Sequence, residues 1–165
     1  MRTPIKLGTD TVRVDISDGL FSLVAPGVND LGDDGPDGEA FVDEALEGGK
    51  WVAQRPGEIL VVPPQQHSYG RPLTVEQWDS APPPDLDEWD DVCEASLDVA
   101  SRGVYWLPLY DQEGVKLPIS PGRYRLRISA KNIAPGHAEV GTDEWLIQAW
   151  PTDDVVAPER LARAA

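Results

Sequence analysis

The stretch DDGPDGEAFVDE, Asp33 to Glu44, puts carboxylates at its first, fifth and twelfth positions and a glycine at its sixth. Oxygen ligands at those offsets around a sharp glycine turn are the register of a calcium loop. The third position is Gly35, which has no side-chain oxygen, and Pro36 stiffens a loop that would have to wrap an ion. Calcium takes about six to eight oxygens, so the missing ligand weakens the match. The same residues fit the start of a helix. Proline is favoured early in a first turn, and Asp34, Asp37 and Glu39 complement the helix dipole there. The helix start is the better account, and neither a metal nor any other cofactor is expected.

Other chemistry-bearing residues are sparse. The chain has two histidines, His67 and His137, and one cysteine, Cys93, none at zinc-site spacing. His67 has no serine or cysteine beside it in a nucleophile elbow. Cys93 lies on the apolar side of an alternating run, which suits a small buried hydrophobe better than a thiolate. Carboxylates are too plentiful for any one pair to single out glycosidase chemistry, and no glycine-rich phosphate loop occurs. The residues argue against an enzyme.

Two further clusters remain. The run DLDEWDDVCE sets Asp87, Glu88, Asp90 and Asp91 around Trp89. With Asp33, Asp34 and Asp37 it is a candidate carboxylate-rich surface with an aromatic anchor, selective for a basic partner. The alternative is that Trp89 folds back onto the core. Arg123, Arg125 and Arg127 form a basic stripe on the outward side of RYRLRI, with Lys131 just beyond. In an acidic chain such a stripe pairs with acids on neighbouring strands; its functional reading is an anion site.

These residues sit in a chain of 165 residues, long enough for one domain with a substantial core. Its net charge of −15 repels nucleic acid and anionic lipid and speeds encounter with basic proteins. A single cysteine allows no internal disulfide, the N-terminal residues lack the apolar run of a signal peptide, and no stretch approaches the ~18 apolar residues of a membrane span. A cytoplasmic protein is expected.

Strand signals dominate. TVRVDIS and LFSLVA flank Asp18-Gly19, a hairpin-type pair, or together form one long strand with a bulge. WVAQ, EILVV and LTVEQW follow, and Pro82, Pro83 and Pro84 force an extended linker. In DVCEASLDVA, Cys93, Ala95, Leu97 and Val99 point one way and Glu94, Ser96 and Asp98 the other, as in a half-buried strand. RYRLRI alternates likewise, with Tyr124, Leu126 and Ile128 inward. EWLIQAW is apolar on both faces and should be central or covered. One helix is expected over GEAFVDEALEGG, with Phe41, Ala45 and Leu46 on a shared face and Gly48-Gly49 ending it. The fold class is all-β: an antiparallel β-sandwich of about seven to nine strands over residues 1–151, then a tail, 152–165, that forms a short helix or frays.

The turn and strand in PGRYRLRISA, the closing EWLIQAW strand, the early strand with Phe21 and the acidic helix around Val42, Asp43, Glu44 and Ala45 resemble small acidic bacterial proteins of unknown function. They are also distantly similar to ComJ, the inhibitor of the competence nuclease. The resemblance implies a compact β-sandwich that acts by binding, as an immunity protein or inhibitor of a basic toxin or nuclease. Two other readings stay open: a small-ligand-binding or enzymatic sandwich with an aromatic-lined pocket, and an assembly subunit that uses an exposed strand edge.

Overall fold

The structure, a computed structural model, describes residues 2–16, 19–26, 38–63, 68–108, 114–133 and 142–162. In chain order these form β1 (Lys6–Ile16), β2 (Phe21–Val24), helix α1 (Gly38–Leu46), β3 (Val52–Arg55), β4 (Glu58–Val61) and β5 (Ser68–Trp78). Then come β6 (Asp91–Val99), β7 (Val104–Pro108), β8 (Val115–Leu117), β9 (Gly122–Lys131), β10 (Glu144–Pro151) and β11 (Glu159–Ala162). One sheet has six strands in the order β1-β5-β10-β9-β6-β11, and the other has five in the order β3-β4-β2-β7-β8. The fold is the expected all-β sandwich, with eleven strands where about seven to nine were expected. The pairings are antiparallel except β5 with β10, which run parallel in the middle of the larger sheet.

Alternation decides which side chains enter the space between the sheets. From the larger sheet come Leu73 and Val75, then Cys93, Ala95, Leu97 and Val99, then Leu126 and Ile128, and finally Trp145, Ile147 and Ala149. Phe21, Leu23, Ile59, Val61 and Trp106 meet them from the smaller sheet. An aromatic trio ties the layers together. Phe21 stacks on Trp106 with centroids 3.6 Å apart, and Trp145 meets both edge-on at 5.4 and 5.8 Å. The buried indole N–H groups are satisfied: Trp106 donates to Asp15 O at 2.8 Å and Trp145 to Asp143 Oδ2 at 2.6 Å.

Several expectations change. Asp18, of the expected hairpin pair, lies outside the described residues, and the strands on either side do not pair: β1 belongs to the larger sheet and β2 to the smaller. The expected tail helix is instead β11, because the edge of β6 offers a ladder that outweighs the helical propensity of ERLARAA. Helix α1 packs Phe41 and Ala45 on Ala53 and Leu60 at the outer side of the smaller sheet. Leu46 does not share that face; it is 52% exposed. A short 3-10 turn, Glu47–Gly49, follows α1, and the positive φ of Gly48 and Gly49 turns the chain away from helical conformation as expected.

The outer side of the larger sheet is covered rather than solvated. β6 and β9 are buried on both faces. Two extended segments, 81–90 and 152–158, lie over them as straps, and buried arginines hold both in place. Arg127 donates to Pro82 O at 2.8 Å, while Arg125 donates to Val156 O at 2.7 Å and Ala157 O at 3.0 Å. β10, apolar on both faces, is central in the sheet as well as covered.

Truncating the hub of the aromatic trio tests this packing. Trp106→Ala should destabilise the fold by about 3–5 kcal/mol. The check is equilibrium denaturation, with a lower midpoint at unchanged slope.

Candidate functional site

The acidic strap 81–90 is built residue by residue. Proline at 82–84 keeps it extended and without ladder donors. Pro82 is buried, and its carbonyl accepts from Arg127. Asp85 Oδ1 accepts the Glu88 N–H at 3.2 Å, closing a turn over 86–88. Lys131 Nζ lies 5.0 Å from the centre of the Trp89 ring and 3.1 Å from Glu88 Oε1. Its hydrogen bond to Glu88 raises the lysine pKa, helped by the charge of Glu144. Asp90 Oδ2 accepts the N–H of Asn132 at 2.8 Å, and Asn132 has φ +58, a left-handed conformation that asparagine tolerates. The strap is thereby pinned along its length, with Asp85, Asp87, Glu88 and Asp90 exposed and Trp89 half-buried.

Asp91 does not belong to that surface. It sits on the same side of β6 as Cys93 and is fully buried (0% exposed). Arg160 of β11 bonds its Oδ1 through Nε at 3.0 Å and also through Nη2, and Trp51 Nε1 approaches the same oxygen at 3.4 Å. Its role is to latch β11 and the chain after α1. Nearby, burial pushes the Cys93 thiol well up, with the Asp91 charge adding to it, so the cysteine is unreactive.

Asp33, Asp34 and Asp37 lie outside the described residues, as do His67 and His137. The described carboxylates of that first acidic segment, Asp43 and Glu44, are exposed on α1 beside Glu47 and Leu46. α1 covers the smaller sheet and the 81–90 strap covers the larger one, so these described acids face away from each other on opposite layers. Among the described residues no cluster of His, Cys, Asp or Glu is arranged to hold a metal ion, and no helix is long and apolar enough to cross a membrane.

The arginine stripe points outward as its alternation requires, but Arg125 and Arg127 are only 6% and 4% exposed. Glu94 on β6 receives both, at 3.4 Å from Arg125 Nε to Oε1 and 2.9 Å from Arg127 Nε to Oε2. Arg123 pairs with Asp98 at 2.9 Å on the exposed end. With two guanidiniums roofed over, the stripe does not present a joint anion site. Its partners are the acids of a neighbouring strand and the carbonyls of the straps.

Between the 81–90 strap and the sheet lies a groove of about 270 Å³. Pro82, Ser129 and Leu146 form its buried lining, Trp78 and Trp89 its aromatic walls, and Glu76 and Asp85 its carboxylates. Glu76 accepts from Trp78 Nε1 at 2.9 Å and Gln148 Nε2 at 3.0 Å and pairs with Lys6 at 3.1 Å. Burial pushes the Glu76 carboxyl up, but those hydrogen bonds and the Lys6 charge outweigh it and hold it below its ordinary value. Trp78 was not singled out from the sequence, although a signal for its outward position is present. In LTVEQW, Leu73 and Val75 face the core, so Thr74, Glu76 and Trp78 face out, and a tryptophan on a polar face is informative.

No protein-family model matches the chain, and no curated protein matches it. Two solved structures share its fold. One is ComJ of Bacillus subtilis, described as the inhibitor of the DNA-degrading activity of NucA. It aligns at a TM-score of 0.57 and 16% identity over 92% of this chain and 100% of ComJ. The other is crocagin biosynthetic gene J, with a TM-score of 0.55 and 13% identity over 88% of this chain and 99% of the other. The resemblance read from the sequence therefore holds at the level of fold.

Two outcomes follow from the charge geometry. Glu94→Ala leaves two buried guanidiniums without their carboxylate and should cost about 3–5 kcal/mol. Denaturation would measure the loss, and limited proteolysis should show earlier cleavage in 152–158. Arg123→Ala, at the exposed end, should change stability far less. Glu76 gives a pH signature. Its lowered pKa contributes stability above its unfolded value, about 4.3, that disappears as pH falls through the folded value. The stability gap between the parent and Glu76→Gln should therefore narrow as pH drops from about 5.5 to 3, measured by urea denaturation.

Proposed function

We propose that this protein is a cytoplasmic, non-enzymatic binding module that inhibits a basic protein, with a nuclease as the first candidate. The observation that carries the reading is the pinned acidic strap, which holds Asp85, Asp87, Glu88 and Asp90 outward beside Trp89. Charges fixed in position before encounter lose little freedom on binding. Set in a chain of net charge −15, they steer a positively charged surface towards an aromatic anchor. A nuclease fits because its active site must attract phosphate, and carboxylates compete for the same positive field. The fold shared with ComJ, a protein named as inhibiting a DNA-degrading activity, supports the same direction. Within the first acidic segment, Asp33, Asp34 and Asp37 are a second proposed contact.

Exposed charges act over a screening length of about 8 Å at physiological ionic strength, so association should weaken steeply with salt. Immobilised protein should capture a basic protein from lysate of the source cells at low salt and release it at high salt. Adding the purified chain should suppress the DNA-degrading activity of the captured protein. Asp87→Lys with Asp90→Lys should abolish capture, and Asp87→Lys alone, which leaves the Asp90–Asn132 contact of the strap in place, should already weaken it strongly. Capture that is indifferent to salt and to this charge reversal, with no effect on nuclease activity, would count decisively against the reading.

A further inference from the structure

The groove beneath the strap already shows which chemistry it favours. Each of its two indoles holds a cation belonging to this chain: Lys6 Nζ lies 5.6 Å from the Trp78 ring centre, and Lys131 Nζ lies 5.0 Å from that of Trp89. Each lysine is also paired with a carboxylate, Glu76 and Glu88. The arrangement of indole, cation and carboxylate therefore occurs on both aromatic walls, once within the groove at Trp78 and once at Trp89, where Lys131 and Glu88 stand outside the lining. Indole faces attract cations through the ring quadrupole, most strongly where water is partly excluded.

We propose that the space between these two pairs receives an arginine side chain from the basic partner, its guanidinium against the indole walls and towards Asp85. This inference rests on the reading of the strap as the partner surface and names what the groove contributes to it. Three features select arginine. The volume of about 270 Å³ is below the ~300–1,000 Å³ of pockets for drug-sized ligands and suits one long side chain. Pro82 and Leu146 offer apolar surface for a methylene stem, while Glu76 and Asp85 set a negative mouth. Guanidinium is planar and more weakly hydrated than ammonium, so it stacks on indole and leaves water more readily than lysine. An anion is excluded by the same carboxylates. Among the described lining residues Lys6 is the one cation, and it is already paired with Glu76.

The experiment uses the full chain labelled with nitrogen-15. Its six indole N–H signals are followed while a capped Gly-Arg-Gly peptide is added, and then a capped Gly-citrulline-Gly peptide of the same shape without charge. Trp78→Phe and Trp89→Leu assign the two groove signals by their loss. The arginine peptide should shift the Trp78 and Trp89 signals in a saturable way and leave Trp106 and Trp145 in the core unmoved. Citrulline should bind about 3- to 30-fold more weakly, the range expected of a cation on an aromatic face. Asp85→Asn and Trp89→Leu, both on the strap and away from the core, should each weaken arginine binding several-fold. Equal binding of the two peptides overturns the proposal, as does unsaturable drift of all six signals or unchanged affinity in both variants. The result separates from that of the inhibitor test. Salt-sensitive capture lost in the Asp87→Lys, Asp90→Lys variant with no arginine preference in the groove removes only the groove. Arginine selectivity without any basic partner removes only the inhibitor.

Discussion

Glu94 stands between Arg125 and Arg127 on the outward side of the larger sheet, and much of that side is organised by the need to satisfy these three charges. One carboxylate cannot satisfy two guanidiniums, each of which carries five donors. The remaining donors reach Ser96 Oγ, Gln148 Oε1 and backbone carbonyls, and those carbonyls must come from chain that is not already in a ladder. Segments 81–90 and 152–158 supply them, at Pro82, Val156 and Ala157. Proline is suited to this role, because it keeps the chain extended and removes an N–H that would need its own partner. Around Val156 the network closes on itself: its carbonyl accepts from Arg125, Gln54 and Ser96, and its N–H donates to Ser96 Oγ. A buried charge cluster of this kind adds little net stability over an apolar substitute of equal shape. What it provides here is position: it draws both straps onto the sheet, and the Lys131–Glu88 and Asp90–Asn132 contacts fix the far end of the first.

That account also explains which features were legible from sequence. Alternation gave the direction of side chains correctly in β6, β9 and β10, because side-chain direction is a property of the strand alone. It did not give their exposure. Arg125, Arg127, Glu94 and Ser96 face outward yet are buried, since the covering chain comes from residues about thirty to sixty positions away. The same phase places Asp91 inward, two residues before Cys93; its membership of an acidic run obscured an assignment the alternation already contained. β11 was hidden for a different reason. ERLARAA has helical composition, and only the unpaired edge of β6 makes a strand of it. The strands β1 and β2 show the limit of turn signals: a hairpin-type pair between two runs does not say whether the runs share a sheet.

The surface reading was partly legible as well. Trp89 within an acidic run suggested either an anchor or a core residue, and the structure gives it an intermediate place, half-buried with Lys131 over its ring. Its partner across the groove, Trp78, comes from a strand that the sequence identified but whose outward face was not pursued. The groove needs both, one from the sheet and one from the strap. It therefore depends on the contacts that hold the strap over the sheet, Arg127 to Pro82 O at one end and Lys131–Glu88 and Asp90–Asn132 at the other.

A single physical device thus links the stability of the outer face to the shape of the groove. The two solved structures share the sandwich at 13–16% identity, so the fold tolerates wide replacement of its residues. In this chain the smaller sheet is overlaid by α1 and the larger by the straps. Of these, the 81–90 strap combines fixed carboxylates, an aromatic wall and an adjoining groove, whereas α1 offers exposed acids and one exposed leucine over a shallow surface. A partner that met only charge would bind either layer. One that inserted a side chain would have a reason to choose the strap, whose place beside the groove Arg127 helps to hold.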